Sequence, residues 1–72
     1  MKVTPKIISI PPYISTSWLN VHSVHMTDGI LIITLSEGDA VYIPDLTLQE
    51  IDLIFKAHAI FLEEEQDENP EP

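Results

Sequence analysis

The chain has 72 residues, of which 12 are acidic and three are lysines, with neither arginine nor cysteine, and its formal net charge at pH 7 is −9. A single domain of this size buries only about 60% of its unfolded surface, disulfides and thiolate metal sites are excluded, and the shortage of cations argues against direct binding of a nucleic acid backbone. Because no apolar stretch approaches a membrane span and Pro11-Pro12 breaks the opening run, we expect a soluble cytoplasmic protein that does not engage a membrane.

The first eighteen residues carry the weakest structural signals. Residues 6–10 predict a short edge strand, because the prolines on either side discourage its extension. Pro11-Pro12-Tyr13 predicts extended, polyproline-like backbone, and the hydroxyl residues 15–17 predict a capped turn that delivers Trp18 to the core. A single tryptophan in a small domain is interpreted as a core residue rather than a binding hot spot.

An antiparallel arrangement of three strands is predicted at about residues 20–27, 30–36 and 40–43. Asp28-Gly29 indicates a two-residue hairpin loop, because glycine tolerates the positive φ that a type I′ turn needs. With Thr27 opposite Ile30, the residues expected to face each other on the core side are Met26 and Leu31, Val24 and Ile33, and His22 and Leu35.

The second hairpin turns at Glu37-Gly38-Asp39. A two-residue loop would direct Val41 and Ile43 outward, whereas a three-residue loop places Val41 opposite Leu35 and keeps the inner face apolar. We therefore prefer the three-residue loop. Pro44 then ends the strand ladder because it has no backbone N–H to donate.

The strongest local signal is the start of a helix predicted at about residues 48–63. Thr47 and Glu50 have the spacing of a capping box, in which each side chain accepts a hydrogen bond from the other residue's backbone N–H. The apolar stripe expected on the helix consists of Ile51, Ile54, Phe55, His58, Phe61 and Leu62. Residues 63–72 are acidic and end in proline, so they predict a disordered tail.

These elements predict an α+β domain over residues 1–62: a small antiparallel β-meander of three to four strands, packed on one face by a single C-terminal helix. The capping box and the Asp-Gly turn are generic devices that many unrelated folds use. They imply no particular family, and no function follows from them alone.

The two histidines in "NVHSVHM" raise the question of a metal site. Side chains alternate along a strand, so His22 and His25 point to opposite faces and cannot bind one ion together. A helical segment through Trp18, Val21 and Val24 would bring them closer, and this alternative stays open, although the Asp-Gly turn favours the hairpin. We expect neither a metal nor any other cofactor.

His58 lies within the apolar stripe of the helix and is predicted to be partly buried. It is interpreted first as a neutral core imidazole. It is also a candidate pH-sensitive residue, because burial disfavours the protonated form.

Catalytic patterns are not evident in the sequence. The acidic residues before the tail lie in expected turns or at the helix start, and both glycines are turn residues rather than parts of a phosphate-binding loop. A small enzyme would need activity that depends on His22, His25 or His58. We therefore expect no enzymatic activity.

Surplus apolar residues predict a protein interface. One helix and three strands cannot cover all of the candidates, which are Leu53, Ala57 and Ile60 on the side of the helix away from the sheet and Ile30, Ile32 and Tyr42 on the outer sheet face. Residues 7–18 folding back would cover only one of these two sets.

The favoured hypothesis is a small acidic interaction module, an adaptor, chaperone-like or regulatory subunit that forms a homodimer or joins a larger assembly. The alternative is an acidic inhibitor that mimics nucleic acid in the groove of a DNA- or RNA-binding enzyme. Half of the acidic residues lie after Leu62, which disfavours the alternative because a mimic needs ordered carboxylates.

Overall fold

The computed structural model describes residues 1–67 and shows an α+β fold. In chain order it contains β1 (Lys2–Val3), β2 (Ile7–Ile10), β3 (Ile14–Ser17), a 3₁₀ turn (Trp18–Asn20), β4 (Val21–Thr27), β5 (Ile30–Leu35), β6 (Ala40–Ile43) and α1 (Leu48–Asp67). The α+β class predicted from the sequence is confirmed. The described strands form two antiparallel three-stranded sheets, β1-β2-β3 and β4-β5-β6, rather than one meander of three to four strands.

The first sheet (β1-β2-β3) arises because the chain reverses at Pro11-Pro12, where extended backbone was expected. The peptide bond between the two prolines is cis, and the Tyr13 N–H donates to the Ile10 carbonyl oxygen at 2.8 Å. The residues after this turn return as β3, antiparallel to β2. The alternation of β2 buries Ile8 and Ile10 and leaves Ile7 exposed.

In the second sheet (β4-β5-β6), the first hairpin has the expected register at its turn. Thr27 lies opposite Ile30, and both Asp28 and Gly29 have positive φ, at 52° and 80°, as a type I′ turn requires. A bulge follows between Val21 and Ser23. It makes the expected pairing of His22 with Leu35 wrong, because the extra residue places the buried Val21 opposite Leu35 and leaves His22 exposed.

The second hairpin differs from its predicted register by two residues. Val41 lies opposite Ile33 rather than Leu35, and Ile43 lies opposite Leu31. The turn lies one position earlier than expected, at residues 36–38, because the Leu35 N–H donates to the Asp39 carbonyl oxygen at 2.7 Å and the Gly38 N–H donates to the Leu35 carbonyl oxygen at 2.9 Å. Because side chains alternate with period two, a register shift of two residues leaves each side chain on the same face of the sheet, and Ile43 is buried as expected.

The helix begins with the predicted capping box. The Thr47 N–H donates to Glu50 Oε1 at 2.9 Å, and the Glu50 N–H donates to Thr47 Oγ1 at 3.1 Å. The helix continues to Asp67, so placing residues 63–67 in a disordered tail is wrong. Glutamate and glutamine are good helix formers, and this propensity outweighs the unfavourable dipole at the C-terminus. The rest of the predicted tail, residues 68–72, lies outside the described residues.

Both sheets and the helix contribute to one hydrophobic core. Its buried apolar members are Ile8, Ile10, Trp18, Val21, Leu31, Ile33, Ile43, Ile54 and Ala57. Trp18 joins the two sheets along the chain, and its indole Nε1 donates to the Thr4 carbonyl oxygen at 2.6 Å. Nothing in the described part of the chain, including the single helix, combines the length and apolarity needed to cross a bilayer.

The buried stripe of the helix is rotated from the one predicted. Ala57 is only 5% exposed and belongs to the core, so placing it on the side away from the sheet is wrong. Leu62, expected inside, is exposed. Periodicity gives the width of an apolar stripe but not its centre, and a small alanine at the centre lets the helix approach its neighbours closely.

Candidate interaction surfaces

The outer face of the second sheet carries a cluster of apolar side chains. His25, Ile32 and Tyr42 lie opposite one another in a row across β4, β5 and β6. Ile30 lies on the same face, two residues from Ile32, and diagonal to Tyr42 within reach of an aromatic ring. We call Ile30, Ile32 and Tyr42 the outer patch.

Burial differs sharply across the two faces of this sheet. Leu31, Ile33 and Ile43 are completely or almost completely buried, whereas Tyr42 is 59% exposed and Ile32 is only partly buried by its neighbours. Tyrosine has an apolar ring and a polar hydroxyl, a combination that is common at protein interfaces. Side chains alternate along each strand, so the residues next to the outer patch in the chain point into the core and those of the outer patch point toward solvent.

The helix carries a smaller exposed apolar pair. Leu53 and Ile60 are 46% and 42% exposed and lie seven residues apart, about two turns, on one side of α1. An exposed ion pair lies close to them, with Lys56 Nζ 3.0 Å from Asp52 Oδ2. Without Ala57, this side of the helix offers two separated side chains rather than a continuous strip. The core lies between it and the outer patch.

His58 lies in an aromatic environment inside the core. It is 7% exposed, its ring centroid is 4.9 Å from that of Trp18 and 6.3 Å from that of Phe61, and its Nε2 has no hydrogen-bond partner within residues 1–67. Burial lowers the pKa of the imidazole below its ordinary value of 6.5 because the charged form loses its hydration. The imidazole is therefore mostly neutral at pH 7.

The other two histidines do not come together. His22 and His25 are both exposed, and His25 lies on the outer face opposite Ile32 as predicted. Across residues 1–67, no three histidine, aspartate or glutamate side chains gather in a way that could hold a metal ion.

Several clefts open on the surface, and two of them, neither lined by a residue of the outer patch, bear on function. The first, which we call the edge cleft, has a volume of about 460 Å³ and is lined by Ile14, Ser15, Thr16, Asn20, Leu35, Ser36 and Glu37. The second has a volume of about 240 Å³ and is lined by Pro5, Lys6, Ser17, Leu19, Phe61, Glu64 and Glu65. Both depend on β3 or on the turn after it, and no strand was predicted at residues 14–17 from the sequence. Neither cleft was therefore among the expected sites.

Comparisons with protein-family models, with curated proteins and with solved structures found no match to this chain. The structure brings Ile30, Ile32 and Tyr42 to one face, places Leu53 and Ile60 on another, and moves Ala57 into the core.

Proposed function

We propose that this chain is a small protein–protein interaction module, an adaptor, chaperone-like or regulatory subunit of the cytoplasm, without catalytic activity of its own. The observation that carries the proposal is the outer patch: two partly buried isoleucines and a half-exposed tyrosine, adjacent on the face of the second sheet opposite to the core. Exposed apolar clusters of this kind usually mark protein contacts, and tyrosine is enriched among the residues that dominate binding energy.

The small size of the core supports assembly with another protein. A domain of 72 residues gains little stability from its own core, and covering an apolar face adds to it. The partner is a second copy of the chain or a member of a larger assembly. His25 and Thr27 at the margin of the patch supply the polar rim that interfaces commonly have.

The charge of the molecule supports a role in partner choice. Glu63, Glu64 and Glu65 are exposed on the last turns of the helix, and the chain as a whole carries a net charge of −9. Such a field steers a basic partner during encounter and repels an acidic one, mainly through the association rate. The acidic end of α1 thus adds selectivity to a contact made elsewhere.

No described cleft supports a reaction. Of the residues that line the edge cleft, Glu37 alone has an acidic or basic side chain, and general acid–base catalysis needs a second, suitably placed group. The second cleft combines Lys6 with Glu64 and Glu65 at an exposed position. These arrangements support binding rather than catalysis.

A photocrosslinking experiment tests the proposal for either kind of partner. p-Benzoylphenylalanine is placed at position 42 and, as a control outside the edge cleft, at position 48, where the structure has a leucine that is 84% exposed. In the native host, illumination should give crosslinked products of defined mass from position 42 and not from position 48. Absence of a defined product from position 42, or equal products from both, would contradict the proposal.

Light scattering after size-exclusion chromatography identifies the partner class. The mass of the full chain and of a chain ending at Leu62 is measured across a range of concentrations. A dimer in both versions assigns the outer patch to a second copy, because the body alone then associates. A monomer in both assigns it to a different protein, which the crosslinked product identifies.

The second candidate is the acidic mimic of nucleic acid. One observation favours it: Glu63, Glu64 and Glu65 lie on a helix and are ordered, contrary to expectation. Successive helical residues project about 100° apart, however, so these carboxylates do not form the row that a phosphate backbone presents. A mimic that uses its folded face should still displace nucleic acid from a basic enzyme after residues 63–72 are removed, and loss of displacement would exclude it.

A further inference from the structure

The edge cleft runs along the side of β3 rather than over one of its faces. A cavity above a strand is lined by alternate residues, because successive side chains point to opposite faces. Here three consecutive residues, Ile14, Ser15 and Thr16, line the cleft. Within residues 1–67, β3 pairs with β2 alone, so this side is the open edge of the first sheet.

The register shows which backbone groups face the cleft. The Trp18 N–H donates to the Lys6 carbonyl oxygen at 3.1 Å, which makes this the first hydrogen-bonded pair of the β2–β3 ladder. Hydrogen-bonded pairs alternate with non-bonded ones, so Thr16 and Ile14 also bond to β2. The N–H and C=O of Ser15 therefore point away from β2, toward the cleft.

The opposite wall is held in place by hydrogen bonds. The Ser36 N–H donates to the Asn20 carbonyl oxygen at 2.9 Å, and Asn20 Nδ2 donates to Thr16 Oγ1 at 2.8 Å. Asn20 thus connects the loop after β5 to β3. The walls of the cleft are preformed, which lowers the ordering cost of binding.

The cleft is long enough for a short stretch of strand. Its volume is about 460 Å³, and it is lined by three successive residues of β3, which span about 10 Å along an extended strand.

We propose that the edge cleft binds an extended peptide segment of another protein, which adds to β3 as a fourth strand and carries aliphatic side chains and a basic residue. The backbone of Ser15 supplies the pairing groups, as in other cases of strand addition. Ile14 and Leu35 offer apolar contacts, and Glu37 is the one charged side chain on the wall. The basic residue of the peptide pairs with Glu37.

Charge argues against two other occupants. The end of the same chain, residues 68–72, contains two glutamates and no cation, so Glu37 would repel it. The β3 strand of a second copy, Ile14–Ser17, contains no basic residue. The proposal goes beyond the interaction module described above, because it uses a different surface and does not require the outer patch.

A random octapeptide library displayed on phage tests the site with the full chain as bait and Ser15→Pro as counter-selection. Proline is tolerated at an edge position whose N–H faces outward, so Ser15→Pro should keep its circular dichroism and its melting transition. Enriched peptides should carry lysine or arginine with aliphatic residues at alternating positions. Their affinity should fall about tenfold or more for Ser15→Pro, since a pairing donor is lost and the edge is blocked.

Two loop variants keep the test decisive if Ser15→Pro does not fold. Glu37→Lys reverses the charge on the wall and should weaken the enriched peptides by about tenfold, whereas Asp39→Lys makes the same change in the same loop outside the cleft and should weaken them by less than about threefold. Failure to enrich any peptide, or equal binding to Glu37→Lys and Asp39→Lys, would overturn the proposal. A dimer of the full chain that Glu37→Lys leaves intact and Ser15→Pro abolishes would instead make a second copy the occupant.

Discussion

The outer faces of the two sheets differ although both sheets are built in the same way. On the first sheet, Lys2, Ser9 and Ser15 lie opposite one another, and Ser15 Oγ donates to Ser9 Oγ at 3.1 Å. On the second sheet, the equivalent row ends in Ile32 and Tyr42. The first face therefore carries a polar row beside the exposed Ile7, whereas the central row of the second face keeps apolar surface in water at a free-energy cost.

This contrast locates the interaction proposal more firmly than the overall composition does. Both sheets direct isoleucines into the shared core, Ile8 and Ile10 from the first and Ile33 from the second. Inward apolar residues are explained by folding alone. Outward ones on the second sheet are not, and the serine row shows that the same architecture tolerates a polar outer face. The comparison can be tested at four levels, starting with the core that both sheets share.

Deleting core side chains should have the largest effect. Ile8→Ala and Ile33→Ala each remove a completely buried side chain from a different sheet, and each should lower the free energy of unfolding by about 2–5 kcal/mol. Urea denaturation followed by circular dichroism and by Trp18 fluorescence measures this effect. Both variants should unfold in a single transition with coincident probes, because the sheets share one core.

The control for these deletions is Ile7→Ala, which truncates an exposed isoleucine of the same strand as Ile8. It should cost less than about 1 kcal/mol, as surface substitutions usually do. Separate transitions for the two probes in Ile8→Ala would show that the first sheet unfolds alone. The two sheets would then be independent units, contrary to the shared core.

A smaller loss is expected at the junction between the sheets. Trp18→Phe removes the hydrogen bond from the indole Nε1 to the Thr4 carbonyl oxygen and part of a fully buried ring. Together, the lost bond and the small cavity should cost about 2–3 kcal/mol in the free energy of unfolding. Tyr13→Phe, at an exposed ring of the neighbouring turn, is the control and should leave stability nearly unchanged. A loss equal to that of the control would mean that Trp18 does not hold the junction.

Protonation of His58 is a milder perturbation of the same region. The folded state holds the imidazole pKa below 6.5, whereas the unfolded chain has the ordinary value. Between the folded pKa and pH 6.5, the unfolded state therefore binds more protons than the folded state. The contribution of neutral His58 to the free energy of unfolding should be fully present above pH 6.5 and should be lost as the pH falls through the folded pKa.

Urea midpoints of the wild type, His58→Leu and His25→Gln between pH 5.5 and 7.5 test this dependence. His58→Leu should flatten the decrease, because its side chain does not titrate. His25→Gln should keep it, because His25 is exposed on the outer face. Parallel curves for wild type and His58→Leu would show that burial of this histidine does not control stability.

Local chemistry explains the parts of the fold that were predictable. The positive φ angles of Asp28 and Gly29, and the reciprocal hydrogen bonds between Thr47 and Glu50, involve residues next to or near each other in the chain. Such signals act over one turn and do not depend on the rest of the molecule. The first hairpin of the second sheet and the start of α1 were therefore read correctly.

The first sheet could not be predicted from local signals of this kind. Lys2–Val3 has no strand signal of its own and becomes β1 only by pairing with β2. The bulge beside His22 depends on how β4 meets β5, and the burial of Ala57 depends on what faces the helix. These features follow from tertiary contacts, which override local propensity.

The edge cleft could not be predicted from the sequence either. Its two walls, residues 14–16 and residues 35–37, are about twenty positions apart in the chain and are joined by the hydrogen bonds of Asn20. Serine and threonine at such positions are ordinary solvated residues until the pairing of β3 is known. The outer patch was predictable because alternation along one hairpin suffices to place it.

The smallest effect on stability is expected at the outer faces themselves. Ile32→Thr on the second sheet keeps a β-branched side chain and removes apolar surface from a partly exposed position, so it should change the free energy of unfolding by less than about 1 kcal/mol. Its effect on association should nevertheless be large, because Ile32 is the central residue of the row that includes Tyr42. The yield of crosslinked product from position 42 should fall to the background of position 48.

The matched change on the first sheet is Ser9→Thr, which also introduces a β-branched hydroxyl side chain at an outward position. It should alter neither stability nor crosslinking, because the row to which Ser9 belongs is already polar. If Ile32→Thr left the crosslinked product unchanged while the protein stayed folded, the apolar face of the second sheet would not be the contact. The contrast between the sheets would then be a tolerated feature of the surface, and Leu53 and Ile60 on the helix would be the remaining apolar candidates.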